Sequence, residues 1–429
     1  MFNLSLGTMR ALDWQRKIYL NGFAGITPAI PPDFSQLEQA ASRRLSPEAV
    51  AYIMGGAGHE QTIHANRKGF DRWKLVPRML RNVENPDLSV ELFGQKLATP
   101  IVLAPIGVLE MAHPDADLAV AKAATQLRIP FIFSNQASVS MEECSAVMGD
   151  HLRWFQLYWS RSRELVASFV HRAEACGCGA IVLTLDTTML GWRTRDLALG
   201  YLPFLHGKGL AQYTSDPVFQ QLLDDFIKQS PATTRPSITS TTLQHLLGAI
   251  RRYPRGSFID KLRSGRAIGA VSLFSSIYTN PTITWDDLSF LRQQTRLPIV
   301  LKGIVHPDDA RKAIDYGMDG LIVSNHGGRQ VDGTISTIEA LPGVVDAVKG
   351  RLPVLLDSGI RGGADVVKAL ALGARAVCLG RPYVYGLALG GQAGVETVLQ
   401  HVLADLELTL CLSGHKSVAE LAPDSLRAA

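Results

Sequence analysis

PIVLKG (298–303), GLIVSN (320–325), PVLLDSG (353–359) and AVCLGR (376–381) follow one another in the last third of the chain. Each is an apolar run of strand length that stops on small or polar residues. Such a run is too short for a buried helix and too continuous for a strand with one wet face. It reads as a strand of a parallel sheet covered on both sides. Four more lie upstream: PIVLAPIG (100–107), PFIFSN (130–135), RWFQLYW (153–159) and AIVLTLD (180–186). Between most of them come stretches with apolar residues at i, i+3 and i+4, such as DADLAVAKAATQL, SRELVASFVHRAEACG and HPDDARKAIDYG. Gly177 and Gly317 close the last two as C-terminal caps. Strand and helix alternating eight times predict an α/β fold, a (β/α)8 TIM barrel. An open doubly wound sheet would put a Gly-rich phosphate turn after its first strand, and PIVLAPIGV has none.

Two regions fall outside the repeat. Residues 1–99, Pro-rich at Pro28, Pro31 and Pro32 and then amphipathic, predict an N-terminal helical segment that closes the bottom of the barrel carried by 100–429. Residues 197–284 separate the fourth and fifth strands, a connection long enough to suggest a lid. This insert opens on LGYLPFL (199–205), apolar enough to pack over a pocket. It continues through helix-like VFQQLLDDFIKQ, polar PATTRPSITSTT (231–242) and helix-like LQHLLGAIRR.

The composition excludes several functions. Of 429 residues 46% are apolar and 19% charged, which argues against disorder. Lys and Arg number 43 against 39 Asp and Glu, and the net +4 is too weak for a nucleic-acid binder. No apolar run approaches the roughly 18 residues of a membrane span. Cys144, Cys176, Cys178, Cys378 and Cys411 are scattered with no CxxC pair, so neither a disulfide framework nor a metal site is expected. Asp13, Arg16 and Lys17 interrupt the N-terminus before an apolar core of signal-peptide length, and a soluble cytoplasmic protein is expected.

In a barrel of this kind functional groups lie at the C-terminal ends of the strands. Polar residues gather there: Gly107, Ser134-Asn135, Gln156 with Tyr158, Thr184 with Asp186, Lys302, Ser324-Asn325-His326, Asp357-Ser358-Gly359 and Gly380-Arg381. Packing is a poor reason for so many, because an unpaired polar group near a core costs about 1–3 kcal/mol. DSGIRGG and GRP end the seventh and eighth strands. Their glycines admit backbone N–H groups to an anion, and Arg361 and Arg381 add paired donors, as for a phosphate. In SNHGGRQ, His326 is a candidate base, and the Gly327-Gly328 turn brings back Arg329, the usual partner of a carboxylate. A lone histidine is more often structural, but this one comes with a strand end, a Gly-Gly turn and an arginine. Asp186 can hold the imidazole, and Lys302 in the barrel mouth suits negative charge on a cofactor.

YIMGGAGHEQT, FQLYW, TLDTTMLGWRTRD, PIVLKGI, SNHGGRQ, DSGIRGGADVVKALALGA and LGRPYVYG together resemble the FMN-dependent 2-hydroxy-acid oxidases and dehydrogenases, from about Tyr52 to Ser417. LAPIGV, GWRTRDLALGYLPFL, YTSDPVFQ and KGIVHPDDARKA are most similar to the lactate 2-monooxygenase subgroup. The resemblance implies FMN as cofactor. It places Tyr52, Arg193 and Arg329 on the substrate carboxylate, His326 as the base with Asp186 as its partner, and Tyr158 beside the substrate. It places Ser134, Gln156, Thr184 and Lys302 at the flavin ring, with Pro105, Ile106 and Gly107 flanking it. Ser324, Asp357, Ser358, Gly359, Arg361, Gly380 and Arg381 complete the cofactor contacts. Departures from the family stand at His59, Gln136, Thr188-Met189 and Trp192, and they are expected to alter the pocket wall.

These readings predict oxidation of a small L-2-hydroxy acid, above all L-lactate, with O2, coupled to decarboxylation to acetate, CO2 and water. The alternatives are an oxidase that releases 2-oxo acid and peroxide, or a dehydrogenase that passes electrons to a quinone or protein. A barrel that only binds phosphate ligands would not need both His326 and Asp186. No nucleic acid and no membrane are expected as partners, and a homo-oligomer, tetramer or octamer, is expected.

Overall fold

The computed structural model describes residues 9–229, 247–254 and 257–429. Eight parallel strands form a closed barrel: β1 (Ile101–Leu103), β2 (Phe131–Phe133), β3 (Arg153–Leu157), β4 (Ile181–Thr184), β5 (Ile299–Lys302), β6 (Gly320–Val323), β7 (Val354–Leu356) and β8 (Ala376–Leu379). Closure is made where Val377 and Leu379 of β8 pair with Ile101 and Leu103 of β1. The strands are short, but successive side chains alternate between two buried surroundings, as a period of two demands. Val102, Ile132, Trp154, Val182, Val300, Ile322, Leu355 and Cys378 fill the barrel, while Ile101, Leu103, Phe131, Phe155, Ile181 and Leu301 pack outward on the helices. This double burial explains the continuous apolar runs.

The N-terminal segment differs from expectation. Its helices Phe34–Arg44, Pro47–Met54 and Gln61–Asp71 are present, but the second and the loop after it lie at the mouth of the barrel, where Tyr52 and Ile53 line the main cavity. The cause is electrostatic. The last carbonyls of a helix lack partners inside it, and here Tyr52, Ile53 and Gly55 give theirs to Arg329 and Arg381. The bottom is closed by a small antiparallel hairpin, Val90–Leu92 with Gln95–Leu97. Leu92 and Leu97 join the interior cluster, and Phe93 meets Trp154 edge-on at 5.5 Å.

The insert after β4 is helical: Thr194–Ala198, Ala211–Ser215, Pro217–Gln229, Phe258–Ser264 and Arg266–Ile277. Phe204, Tyr213, Phe219 and Phe274 form its buried aromatic core. Arg172, on the helix before β4, clamps it to the barrel through Asp216 at 2.9 Å and also holds Glu142 at 2.8 Å. The polar stretch 231–242 and residues 243–246 lie outside the described residues. No helix of the described residues is long and apolar enough to cross a membrane.

Helix Gly363–Ala371 packs on the second of two helices that span Arg381–Leu412 and meet at a kink at Gly390 and Gly391, with no room for a methyl group at Gly363. A Cβ there would stand 2.1 Å from the Leu406 nitrogen and 2.3 Å from the Asp405 carbonyl carbon. Because those neighbours are backbone and cannot turn aside, Gly363→Ala should destabilise the fold by at least about 1–3 kcal/mol. A thermal unfolding scan should show a clear drop in midpoint; an unchanged midpoint would mean that the two helices can separate freely.

Candidate active site

The strand ends converge on a cavity at the mouth of the barrel. One end is lined by Tyr52, Gln136, Tyr158, Arg193, His326 and Arg329, the other by Gly359, Arg361, Gly380 and Arg381, with Lys302 on the wall. Parallel register sets side-chain height: Thr184 lies opposite Lys302, and Lys302 opposite Ile322. Lys302 is 4% exposed and is held by Asp357 at 3.0 Å and by Ser324 at 2.8 Å. Burial alone would lower its pKa, but the charges of Asp357 and Asp186 outweigh burial and raise it, so the ammonium is permanently charged.

His326 follows β6 in a left-handed conformation, φ 59°, and Gly327 and Gly328 continue it at 66° and 77°. Only glycine suits the third position, where a Cβ would come 2.7 Å from the Ile63 nitrogen. This tight turn presents the imidazole to the cavity and sends Arg329 back beside it. The His326 Nδ1–H donates to Asp186 Oδ1 at 2.7 Å, which leaves Nε2 as the acceptor. Burial pushes the His326 pKa below 6.5 despite Asp186, so the ring is neutral at rest. Burial would raise Asp186, yet at the acid pH where it titrates the then-protonated His326 and the Lys302 charge hold it down at about 2. The pair is therefore an oriented neutral base on a fixed carboxylate.

Arg193 and Arg329 flank Tyr52, their guanidinium carbons 5.9 Å and 4.9 Å from its ring centre. Among the described residues no carboxylate bonds either one. Arg329 donates to the carbonyls of Tyr52 and Gly55, and Arg193 to the Arg329 carbonyl and to Gln330. Burial, with Arg193 and Arg381 nearby, lowers Arg329 to about 9. A guanidinium stays charged at neutral pH, so this corner calls for an anion. Burial and Arg381 likewise lower Arg361 to about 10.

Most residues expected from the sequence line the cavity: Tyr52, Pro105, Ile106, Gly107, Gln156, Tyr158, Thr184, Arg193, Lys302, His326, Arg329, Asp357, Ser358, Gly359, Arg361, Gly380 and Arg381. Ser134, Asp186 and Ser324 do not; each lies behind the wall and bonds to a residue on it. Ser134 meets Gln156 at 3.5 Å, and Ser324 accepts from Lys302 and from the His326 backbone. Of the departures from the family pattern only Gln136 reaches the cavity, whereas Met189 and Trp192 are exposed. Phe204 lines it too, from the LGYLPFL stretch expected to pack over a pocket, and so do Thr187, Leu190 and Tyr278, which the sequence reading did not name. Thr187 donates to Asp186 at 2.9 Å, and its place directly after Asp186 was the available signal. Nothing local marks Tyr278, which an aromatic cluster of the insert delivers together with Phe204.

The sequence profile of the FMN-dependent dehydrogenases matches residues 41–428. An FMN-dependent alpha-hydroxy acid dehydrogenase from Penicillium citrinum is 41% identical over 415 residues, 96% of this chain and 95% of the relative. An L-lactate oxidase from Lysinibacillus sphaericus is 40% identical over 391 residues, 91% of each chain. A crystal structure of mandelate oxidase superposes with a TM-score of 0.72 at 34% identity, covering 92% of this chain and 98% of that one. The cavity suits the cofactor in that family's name. Gln156 Nε2, Thr184 Oγ1 and Arg361 Nε are buried polar atoms without a hydrogen-bond partner among the described residues, and all three residues line the cavity. They match the polar edge and the phosphate of a flavin mononucleotide. On sequence and architecture alike, this chain belongs to the FMN-dependent dehydrogenase family and is a flavoprotein oxidoreductase that uses FMN.

Proposed function

We propose that the protein oxidises a small L-2-hydroxy acid of the lactate class to its 2-oxo acid, with O2 as the electron acceptor and hydrogen peroxide as the second product. The observation that carries this reading is the neutral His326–Asp186 pair set beside two arginines that no carboxylate bonds. Arg193 and Arg329, with Tyr52 between them, hold the substrate carboxylate and fix which way the hydroxyl points. His326 Nε2 accepts the hydroxyl proton, while Asp186 holds the ring and offsets the charge it gains. FMN, held by Gln156, Thr184, Lys302 and the Arg361 and Arg381 turns, supplies the two-electron acceptor for the hydrogen leaving C2. Lys302 keeps a fixed positive charge beside the reacting groups, where negative charge accumulates.

The relatives reported above carry oxidase and dehydrogenase names, which supports peroxide release over the decarboxylating outcome suggested by the likeness to lactate 2-monooxygenase. One feature favours retention of the oxo acid as a second reading. Phe204 and Tyr278 from the insert line the cavity, which supports a lid role for the insert over bound product. Aerobic turnover of L-lactate with parallel assays of pyruvate, peroxide and acetate separates the outcomes. Pyruvate and peroxide in equal amounts are expected. Acetate as the main product would establish the decarboxylating reading, and poor oxygen uptake rescued by an artificial dye would establish a dehydrogenase.

His326→Gln should keep its flavin and lose about 10²–10⁴ in the rate of anaerobic flavin reduction by L-lactate; stopped-flow bleaching measures it, and a rate within a few-fold of wild type would make His326 structural. The base works only when neutral, and burial lowers its pKa. Therefore kcat/KM should hold as the pH falls through 6.5 and decline only below that value, as the ring takes up a proton. Asp186 opposes the lowering, so in Asp186→Asn the decline should move to still lower pH while kcat drops. A pH–rate profile of both proteins checks the sign.

A further inference from the structure

Asp196 is an anomaly that the reaction described above does not use. It lies three residues after Arg193 in the short helix Thr194–Ala198 and is 7% exposed. Its Oδ1 is buried with no hydrogen-bond partner among the described residues. Buried carboxylate oxygens almost always have a donor, and removing one from water without a donor is costly. Its chain neighbours do not relieve it: Arg195 turns away to Glu60 at 2.5 Å, and Arg193 bonds Gln330 and the Arg329 carbonyl. Burial raises the Asp196 pKa, and the charges of Arg329 and Arg193 oppose that rise; Asp196 in turn is a carboxylate that raises Arg329. Asp196 stands about one helical turn after Arg193 and does not line the cavity, whereas both arginines do. Among the described residues the bonds of the two arginines go to carbonyls and Gln330 and not to Asp196.

We propose that Asp196 is a positioning residue that partly offsets the Arg193–Arg329 pair and so limits how tightly the site holds carboxylates. The inference rests on the proposed role of those arginines. A direct ion pair would occupy the donors that the substrate needs. An unbonded carboxylate off the cavity takes none of their donors and weakens the local field. Substrate and 2-oxo acid product carry the same carboxylate, so the setting matters most for product release: a stronger field would lower KM but slow departure.

The test is Asp196→Asn in the FMN-loaded enzyme, with pyruvate titrated as a non-reducible ligand and followed by the change in the flavin absorption spectrum. Neutralising the side chain should tighten pyruvate on the order of tenfold, the effect of about 1.4 kcal/mol of lost charge interaction. KM for L-lactate should fall, and kcat should fall with it. Asp196→Glu, which keeps the charge, should stay near wild type. A merely structural Asp196 would give the opposite sign, weaker pyruvate binding in both variants. Unchanged or weaker binding in the Asn variant overturns this inference alone. If the wild-type enzyme binds no carboxylate at all, the proposed arginine roles fall and this inference falls with them. If the Asn variant does not fold, the Glu variant decides: tightened or weakened binding there, with the charge retained, overturns the proposal.

Discussion

A lysine ammonium is buried at the top of the barrel, and much of the site is arranged around its charge. Lys302 cannot reach bulk water, so Asp357 and Ser324 must meet it directly. Asp357 then has to stand at the end of β7 and Ser324 at the end of β6. Ser324 also accepts from the His326 backbone nitrogen, which starts the left-handed turn carrying the imidazole and Arg329. The same positive charge helps keep Asp186 ionised. One buried cation thus ties together the ends of three strands, the orientation of the base and the charge of its partner.

The opposite wall follows a different rule. Arginine side chains buried without carboxylates still need acceptors, and the mouth of a barrel has few to spare. Here the acceptors are backbone carbonyls at the end of helix Pro47–Met54 and in the loop beyond it. This arrangement locks the N-terminal segment over the mouth and leaves the cationic faces of Arg193, Arg329 and Arg381 directed at ligands. The Arg193–Arg329 corner and the Arg361–Arg381 corner are built the same way, by cations whose hydrogen-bond partners among the described residues are neutral.

The insert makes a third contribution. Its packed aromatic cluster brings Phe204 and Tyr278 to the cavity, so a segment far from the strand ends in sequence closes one side of the site. Arg172 and the fully buried Asp216 fix its base to the barrel. Thr188, Met189 and Trp192 depart from the family pattern yet stay off the wall, which Gln136, Leu190 and the insert aromatics line.

The eight strands, the barrel, the phosphate turns and the His326–Arg329 element were legible in the sequence because each is local. Double burial writes itself as an uninterrupted apolar run, and a tight turn that presents a side chain writes itself as glycine. Cavity-lining residues at strand ends could be named for the same reason: in a parallel barrel every strand points its C-terminus at one mouth. Tertiary structure decided what depends on contact between distant segments. Helix Pro47–Met54 went to the mouth because Arg329 and Arg381 needed its carbonyls, which no local pattern records. Ser134 and Ser324 share the parity of the inward-facing Ile132 and Ile322 and still lie behind the wall, where they bond Gln156 and Lys302. The LGYLPFL stretch that holds Phe204 could be read as a cover for a pocket, but Tyr278 and the unbonded Asp196 became visible only in three dimensions, since burial and the absence of a partner are properties of a packed neighbourhood and not of a stretch of chain.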